Sequence, residues 1–302
     1  MIKDVVVRWF IQNLLLPKRE DIENPGFIIE KIDSNKNREI FLPERLFINL
    51  ETKIKKNFSY RIGKIYGYGY SSICNFPNIK MQHRKKLLSF VYFLVKAVES
   101  IYAGSLSHKT DMSSKKFRLK MKEFIICRKN GLGYIMSEGG IAGIWAWIVQ
   151  DPTIEAVQPK CQGRGDRVCE VIAAPYNYLV QQGYEPIRCT KLETIELTED
   201  YEEFNKIRPT TWATNSLEDL INAGFFEYKH GQITYKGERF FLCEASFMYI
   251  LEKELKKVKN GLDVLRQVSF DFGKKLSEIS GKQEPCKFIT DFFPALDLKS
   301  IL

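Results

Sequence analysis

The stretch from Gly139 to Trp147 constrains this chain more than any other. Gly140, Ala142, Gly143 and Ala146 recur at close-approach spacing, mixed with the large rings of Trp145 and Trp147. Small residues spaced in this way belong on a helix pressed tightly against a sheet. A short strand is expected next over residues 153–158. Gly163-Arg164-Gly165-Asp166 then reads as a turn, with a returning strand over 167–173. The chain therefore reads as α/β in the α+β sense: an antiparallel sheet packed with helices.

The flanking segments extend this picture. Leu87, Leu88, Val91, Leu94, Val95, Val98 and Ile101 form one apolar face of a helix over 84–102. Residues 104–114 read as loop. Phe117, Leu119 and Met121 alternate with Arg118, Lys120 and Lys122, which is the pattern of a strand with one wet face over 116–127. Gly63, Gly67 and Gly69 lie among tyrosines in 61–72, either on a helix packed through glycine or in an irregular turn. Toward the N-terminus, 2–16 reads as a helix stopped by Pro17. A hairpin turns around 33–37, and Leu46, Phe47, Leu50 and Ile54 follow at helical spacing. Toward the C-terminus, Ser216 is an N-cap with Asp219 three residues on, and Gly224 is the stop. A hairpin over 225–228 and 232–235 precedes helices over about 239–257 and 263–279. An echo links the two ends: Phe41-Leu42-Pro43-Glu44-Arg45-Leu46-Phe47 resembles Tyr235-Lys236-Gly237-Glu238-Arg239-Phe240-Phe241.

Composition narrows the function classes. Of the 302 residues 44% are hydrophobic and 27% charged, a folded globular profile. No apolar run approaches the ~20 residues that span a bilayer, so no membrane span is expected. The seven cysteines stand in a long chain with no recognisable export signal, which implies reduced thiols and a cytoplasmic setting. No Walker-type or Gly-x-Gly-x-x-Gly loop is present. The three histidines, His83, His108 and His230, stand in polar contexts and read as solvated.

The run from Gly140 through Trp145 and Trp147 to Cys161, Gly165-Asp166 and Cys169 resembles the C-terminal half of the vinyl-4-reductase domain. The pattern is a glycine-rich helix, a short strand, a cysteine, a Gly-Asp turn and a second cysteine eight residues after the first. Residues 216–283, above all Gly237-Glu238-Arg239-Phe240-Phe241, resemble the front portion of the sensor domains of aromatic-responsive transcription activators. The resemblance implies the ligand-binding fold shared with TRAPP trafficking subunits and haem nitric-oxide sensors. It also implies a homodimer and an apolar, aromatic or hydrocarbon ligand. It divides the chain into an N-terminal helix (1–24), a ligand-binding domain (25–178), a linker (179–215) and a partial second copy (216–302). Phe90, Phe93, Tyr134, Trp145 and Trp147 are the expected pocket residues. In the related sensors zinc is held by an upstream cysteine, a glutamate three residues before the first motif cysteine, and the motif pair. Here Cys161 and Cys169 stand at the motif positions, with Gln158 at the glutamate and Ile135 at the upstream cysteine.

The favoured reading is a non-catalytic module that binds or senses a small molecule. A second reading takes 216–241 as the back half of a winged helix in a DNA-binding regulator, in keeping with the net charge of +9. Against it, the expected recognition helix carries Glu218 and Asp219 and no basic residue. A third reading is a reductase, or a thiol redox protein working through Cys161 and Cys169.

Overall fold

The computed structural model describes residues 35–102, 105–122, 135–189, 215–229 and 232–281, together with 20–21, 28–32 and the single positions 5, 6, 9, 124, 192 and 202. The N-terminal helix expected over 2–16 and the candidate Tyr134 lie mostly or wholly outside these. Two compact units are present: residues 1–50 with 197–302, and residues 51–196.

The first unit is built on a six-stranded antiparallel sheet. Its strands are β1 (Glu20–Asp21), β2 (Ile28–Ile32), β3 (Asn35–Pro43), β8 (Glu227–Lys229), β9 (Gln232–Tyr235) and β10 (Glu238–Glu244), in the spatial order β1-β2-β3-β10-β9-β8. The centre of the sheet is the pairing of β3 with β10, in which Phe41 faces Leu242 and Ile40 faces Cys243. This pairing corrects the expected division of the chain. The first hairpin was assigned to a 25–178 domain, yet it joins the C-terminal strands. The physical reason is that β3 is apolar throughout Ile40-Phe41-Leu42, and it completes its hydrogen bonds with the equally apolar Phe240-Phe241-Leu242-Cys243. Strand β10 also occupies the start of the helix expected over 239–257; that helix begins only at Ala245.

Helices α1 (Glu44–Lys53), α7 (Ala245–Leu255) and α8 (Gly261–Ser280) follow strands of this sheet, and α6 (Leu217–Asn222) precedes β8. Phe47 packs edge-on to Phe241 at 5.8 Å, and Phe240 meets Phe272 of α8 at 6.2 Å. The cap expected at Ser216 is formed: its hydroxyl accepts from Asp219 N at 3.0 Å, and Ser216 N donates to the Asp219 carboxylate at 2.8 Å. The echo has a different meaning from the one its alignment suggests. Glu44-Arg45 opens a helix, whereas Glu238-Arg239 opens a strand, so the two strings are not equivalent positions. They meet instead. Arg45 holds Glu238 at 2.6 Å, and Arg239 holds Glu44 at 2.5 Å. What recurs is the element order: hairpin, short helix, long helix.

In the second unit the long helix is α2 (Lys56–Ile73), joined by α3 (Arg84–Tyr102), α4 (Ile135–Val149) and α5 (Tyr176–Gln181). A four-stranded antiparallel sheet contains β4 (Ser105–Asp111), β5 (Lys116–Lys122), β6 (Ile154–Lys160) and β7 (Cys169–Pro175), in the order β4-β5-β7-β6. The expected α+β class is observed. The loop expected over 104–114 is largely strand β4. Its composition, Ser-Leu-Ser-His-Lys-Thr-Asp, hides the alternation because Leu106 is its one aliphatic residue.

The glycines define how α2 and α4 meet. A Cβ on Gly63 would lie 1.9 Å from Met136 O, and one on Gly67 2.2 Å from Gly140 O. Reciprocally, a Cβ on Gly139 would lie 2.1 Å from Tyr60 O, and one on Gly143 2.2 Å from Lys64 O. The two backbones are therefore in direct contact, and no side chain fits between them. The glycine face of α4 was expected against a sheet; it meets a helix, and α4 presents Trp145 to the sheet instead. The glycine-rich 61–72 segment is helical.

Candidate functional site

The helix-facing side of the four-stranded sheet carries a row of rings. Strand alternation places Leu106, His108 and Thr110 of β4 on one face, opposite Met121, Leu119 and Phe117 of β5. Trp145 from α4 stacks on Phe117 with centroids 5.1 Å apart, and its indole N–H donates to Lys115 O at 2.7 Å. His108 lies 6.0 Å from Phe117, and Tyr92 of α3 lies 6.2 Å from His108. The row thus runs Tyr92, His108, Phe117, Trp145, supplied by two helices and two strands.

Two polar groups punctuate this row. Burial, reinforced by the charge of Lys96, lowers the His108 pKa below the ordinary 6.5 and keeps the ring neutral at pH 7. A neutral imidazole offers one N–H donor and one lone pair. The Thr110 hydroxyl, directly cross-strand from Phe117, is buried with no hydrogen-bond partner. Leaving such a group unsatisfied costs roughly 1–3 kcal/mol.

Among the described residues, the expected pocket residues do not gather at one wall. Trp145 belongs to the row just described. Trp147 faces away: its indole donates to Phe76 O at 2.7 Å, and its ring meets Tyr68 edge-on at 5.3 Å. Phe90 packs on Phe76 at 5.1 Å in that same second cluster. Phe93 is 38% exposed. Adjacent tryptophans two residues apart point to opposite sides of a helix, which is why both could not line one wall. Sequence reading missed His108, Thr110, Phe117 and Tyr92, because β4 was read as loop and His108 as solvated. The usable signal was the two-residue spacing of Leu106, His108 and Thr110.

The cysteine turn is built as a structural unit. Lys160 pairs with Glu170, so Cys161 and Cys169 close the end of the β6–β7 ladder, both fully buried as free thiols. Cys161 N donates to the Asp166 carboxylate at 2.8 Å, Gln162 N to Cys169 Sγ at 3.3 Å, and Arg164 to Gln158 O at 2.5 Å. Gly165 adopts φ +94°, which its lack of a Cβ allows. The zinc set implied by the resemblance does not fit these residues. Ile135 offers no donor atom and Gln158 no charge, and among the described residues no three His, Cys, Asp or Glu side chains converge as metal ligands.

Carboxyl groups gather at the other end of α4. Glu51, 3% exposed, accepts from Met136 N at 2.6 Å and from the Ser59 hydroxyl at 3.3 Å, while its second oxygen is buried without a partner. Burial pushes Glu51 up to about 7. Burial, with Glu51 adding to it, pushes Glu138 up to about 8 despite Lys56 and Arg164.

No protein-family model and no curated protein sequence matches the chain. Among solved structures, the phenol-responsive sensory domain of the transcription activator PoxR, determined with phenol, is similar at 13% identity and a TM-score of 0.39, over 57% of this chain and 94% of that chain. At that TM-score the likeness carries no functional argument. Among the described residues no helix is long and apolar enough to cross a membrane.

Proposed function

We propose that residues 51–196 bind a small, largely apolar aromatic molecule bearing one polar group, and that the protein acts as a ligand-binding or sensing module. The observation that carries this reading is the buried, unpartnered Thr110 hydroxyl within the row Tyr92, His108, Phe117 and Trp145. Ligand sites of this kind are mostly apolar, with a few polar groups that set orientation. A ligand hydroxyl would satisfy Thr110 and the neutral His108, while its ring would stack on Phe117 or Trp145. Occupancy shifts a conformational balance only through different affinity for two arrangements, and α3 and α4 are the elements whose position it would select. The homodimer implied by the resemblance is part of this proposal.

The test uses the full chain with 4-methylphenol and toluene, which differ by the hydroxyl alone. Native mass spectrometry and thermal shift should report retention of 4-methylphenol over toluene, with the preference lost in Thr110→Val and retention of both lost in Phe117→Ala. Equal behaviour of the two molecules, or retention untouched by both substitutions, would overturn the reading. The winged-helix alternative gains nothing from the fold: β8, β9 and β10 are strands of the six-stranded sheet, and α6 is a six-residue helix with an acidic first turn.

A further inference from the structure

Lys64 of α2 and Glu155 of β6 lie 2.9 Å apart with both side chains at 0% exposure. A buried ion pair is tolerated only when its remaining hydrogen-bonding capacity is also filled. Tyr60 fills part of it: its hydroxyl donates to Glu155 Oε2 at 2.8 Å and accepts Ala156 N–H at 2.8 Å, satisfying an amide of the edge strand β6. Lys64 Nζ also donates to Pro152 O at 3.3 Å. The rest comes from one residue. Cys189 N–H donates to Glu155 Oε1 at 2.6 Å, and Cys189 O accepts from Lys64 Nζ at 2.6 Å.

Cys189 belongs to no helix or strand. Residues 184–189 follow α5 without regular structure; Glu185 and Arg188 are exposed and Cys189 is buried. The root of this segment is held separately, by Tyr184 on the cluster of Val157, Ile172, Ala174 and Leu179, and near its far end Arg188 lies over the Tyr176 ring at 5.2 Å. One residue is thus gripped by the anion at its N–H and by the cation at its C=O, as a neighbouring strand would grip it.

We propose that Lys64, Glu155 and Cys189 form a releasable polar latch that fastens residues 184–189 to helix α2 and strand β6. The choice of charges explains the release. An apolar anchor, on lifting, exposes hydrocarbon to water; an ion pair, on lifting, regains the hydration it lost on burial, so the open state is comparatively accessible. The latch also reads one distance. Tyr60 and Lys64 come from the helix layer and Glu155 from the sheet edge, so a change in the spacing of α2 and β6 separates the two grips on Cys189. The latch stands whether or not residues 51–196 take the proposed ligand.

Two measurements on the full chain test it. In wild type, hydrogen exchange should find the Cys189 amide roughly 100-fold slower than those of Glu185 and Arg188; equal rates overturn the latch. N-ethylmaleimide labelling, read cysteine by cysteine, should find Cys189 about ten-fold slower than the half-buried Cys74. In the double variant Lys64→Met, Glu155→Met, Cys189 should gain about that factor while Cys161 and Cys169 stay protected. Cys189 still protected in a variant that keeps Cys161 and Cys169 protected would sink the proposal. If those two also become reactive the variant has lost its fold, and the wild-type exchange rates decide.

Discussion

Helices α2 and α8 both follow a hairpin and a short helix, yet they are used in opposite ways. Helix α2 presents Gly63 and Gly67 to α4 with no space for a methyl group, and it buries Lys64 and Tyr60 beneath that contact. Helix α8 has Gly273 with nothing within 4 Å, and it leaves Phe270 69% exposed. Its charges pair on the surface, as Arg266 does with Asp263 at 3.0 Å. The element order alone does not decide whether a helix becomes a load-carrying layer. Small residues that admit a partner backbone, and buried charges that find partners, make the difference.

The largest expected effect tests the charges. Glu155→Ala leaves Lys64 buried with its main counter-charge gone and should cost about 3–5 kcal/mol in a urea titration. Arg266→Ala on α8 should leave the same titration unchanged, because that pair is solvated. A tolerated Glu155→Ala would break the comparison.

The glycines come next. Gly143→Ala drives a methyl group into the Lys64 backbone and should destabilise by about 3 kcal/mol. Gly273→Ala meets nothing and should stabilise α8 by about 0.5–1 kcal/mol through helix propensity. Opposite signs in the urea midpoint sharpen the contrast, and equal signs erase it.

The carboxyls at the start of α4 set a pH dependence. Glu51 and Glu138 have folded pKa values of about 7 and about 8, raised by burial from an ordinary 4.5. The folded state therefore holds protons that the unfolded chain releases. This contribution is fully present below about pH 4.5 and is lost as pH rises through 7 to 8. The thermal midpoint should fall between pH 6 and pH 9, and Glu51→Gln with Glu138→Gln should flatten that fall.

The smallest effect concerns the ring-lined face. Thr110→Val removes an unsatisfied buried hydroxyl and should raise the stability of the ligand-free protein by about 1 kcal/mol, measured by urea titration. A loss of stability instead would mean that the hydroxyl is satisfied in solution.

Much of the fold was legible in the residues. The glycine-rich helix, the two strands around Gly165-Asp166, the apolar face of α3 and the Ser216–Asp219 cap follow from local rules of spacing, turn chemistry and capping, each acting within a few residues. Strand β4 was not legible, because its inward face carries His108 and Thr110 in place of aliphatic side chains. The ring row escaped because its members come from four elements, one of them β4.

Long-range pairing had to be decided in three dimensions. Periodicity states that a strand has an apolar face, but not which other strand it will complete. Ile40-Phe41-Leu42 could close a hairpin domain of its own, and only the tertiary structure set it against β10. Likewise, Glu44-Arg45 and Glu238-Arg239 read as a repeat along the chain and prove to be partners in space. Local geometry and solvation act over a few residues and are written in the sequence. The choice among equally apolar or oppositely charged partners is made by the packing of the whole unit.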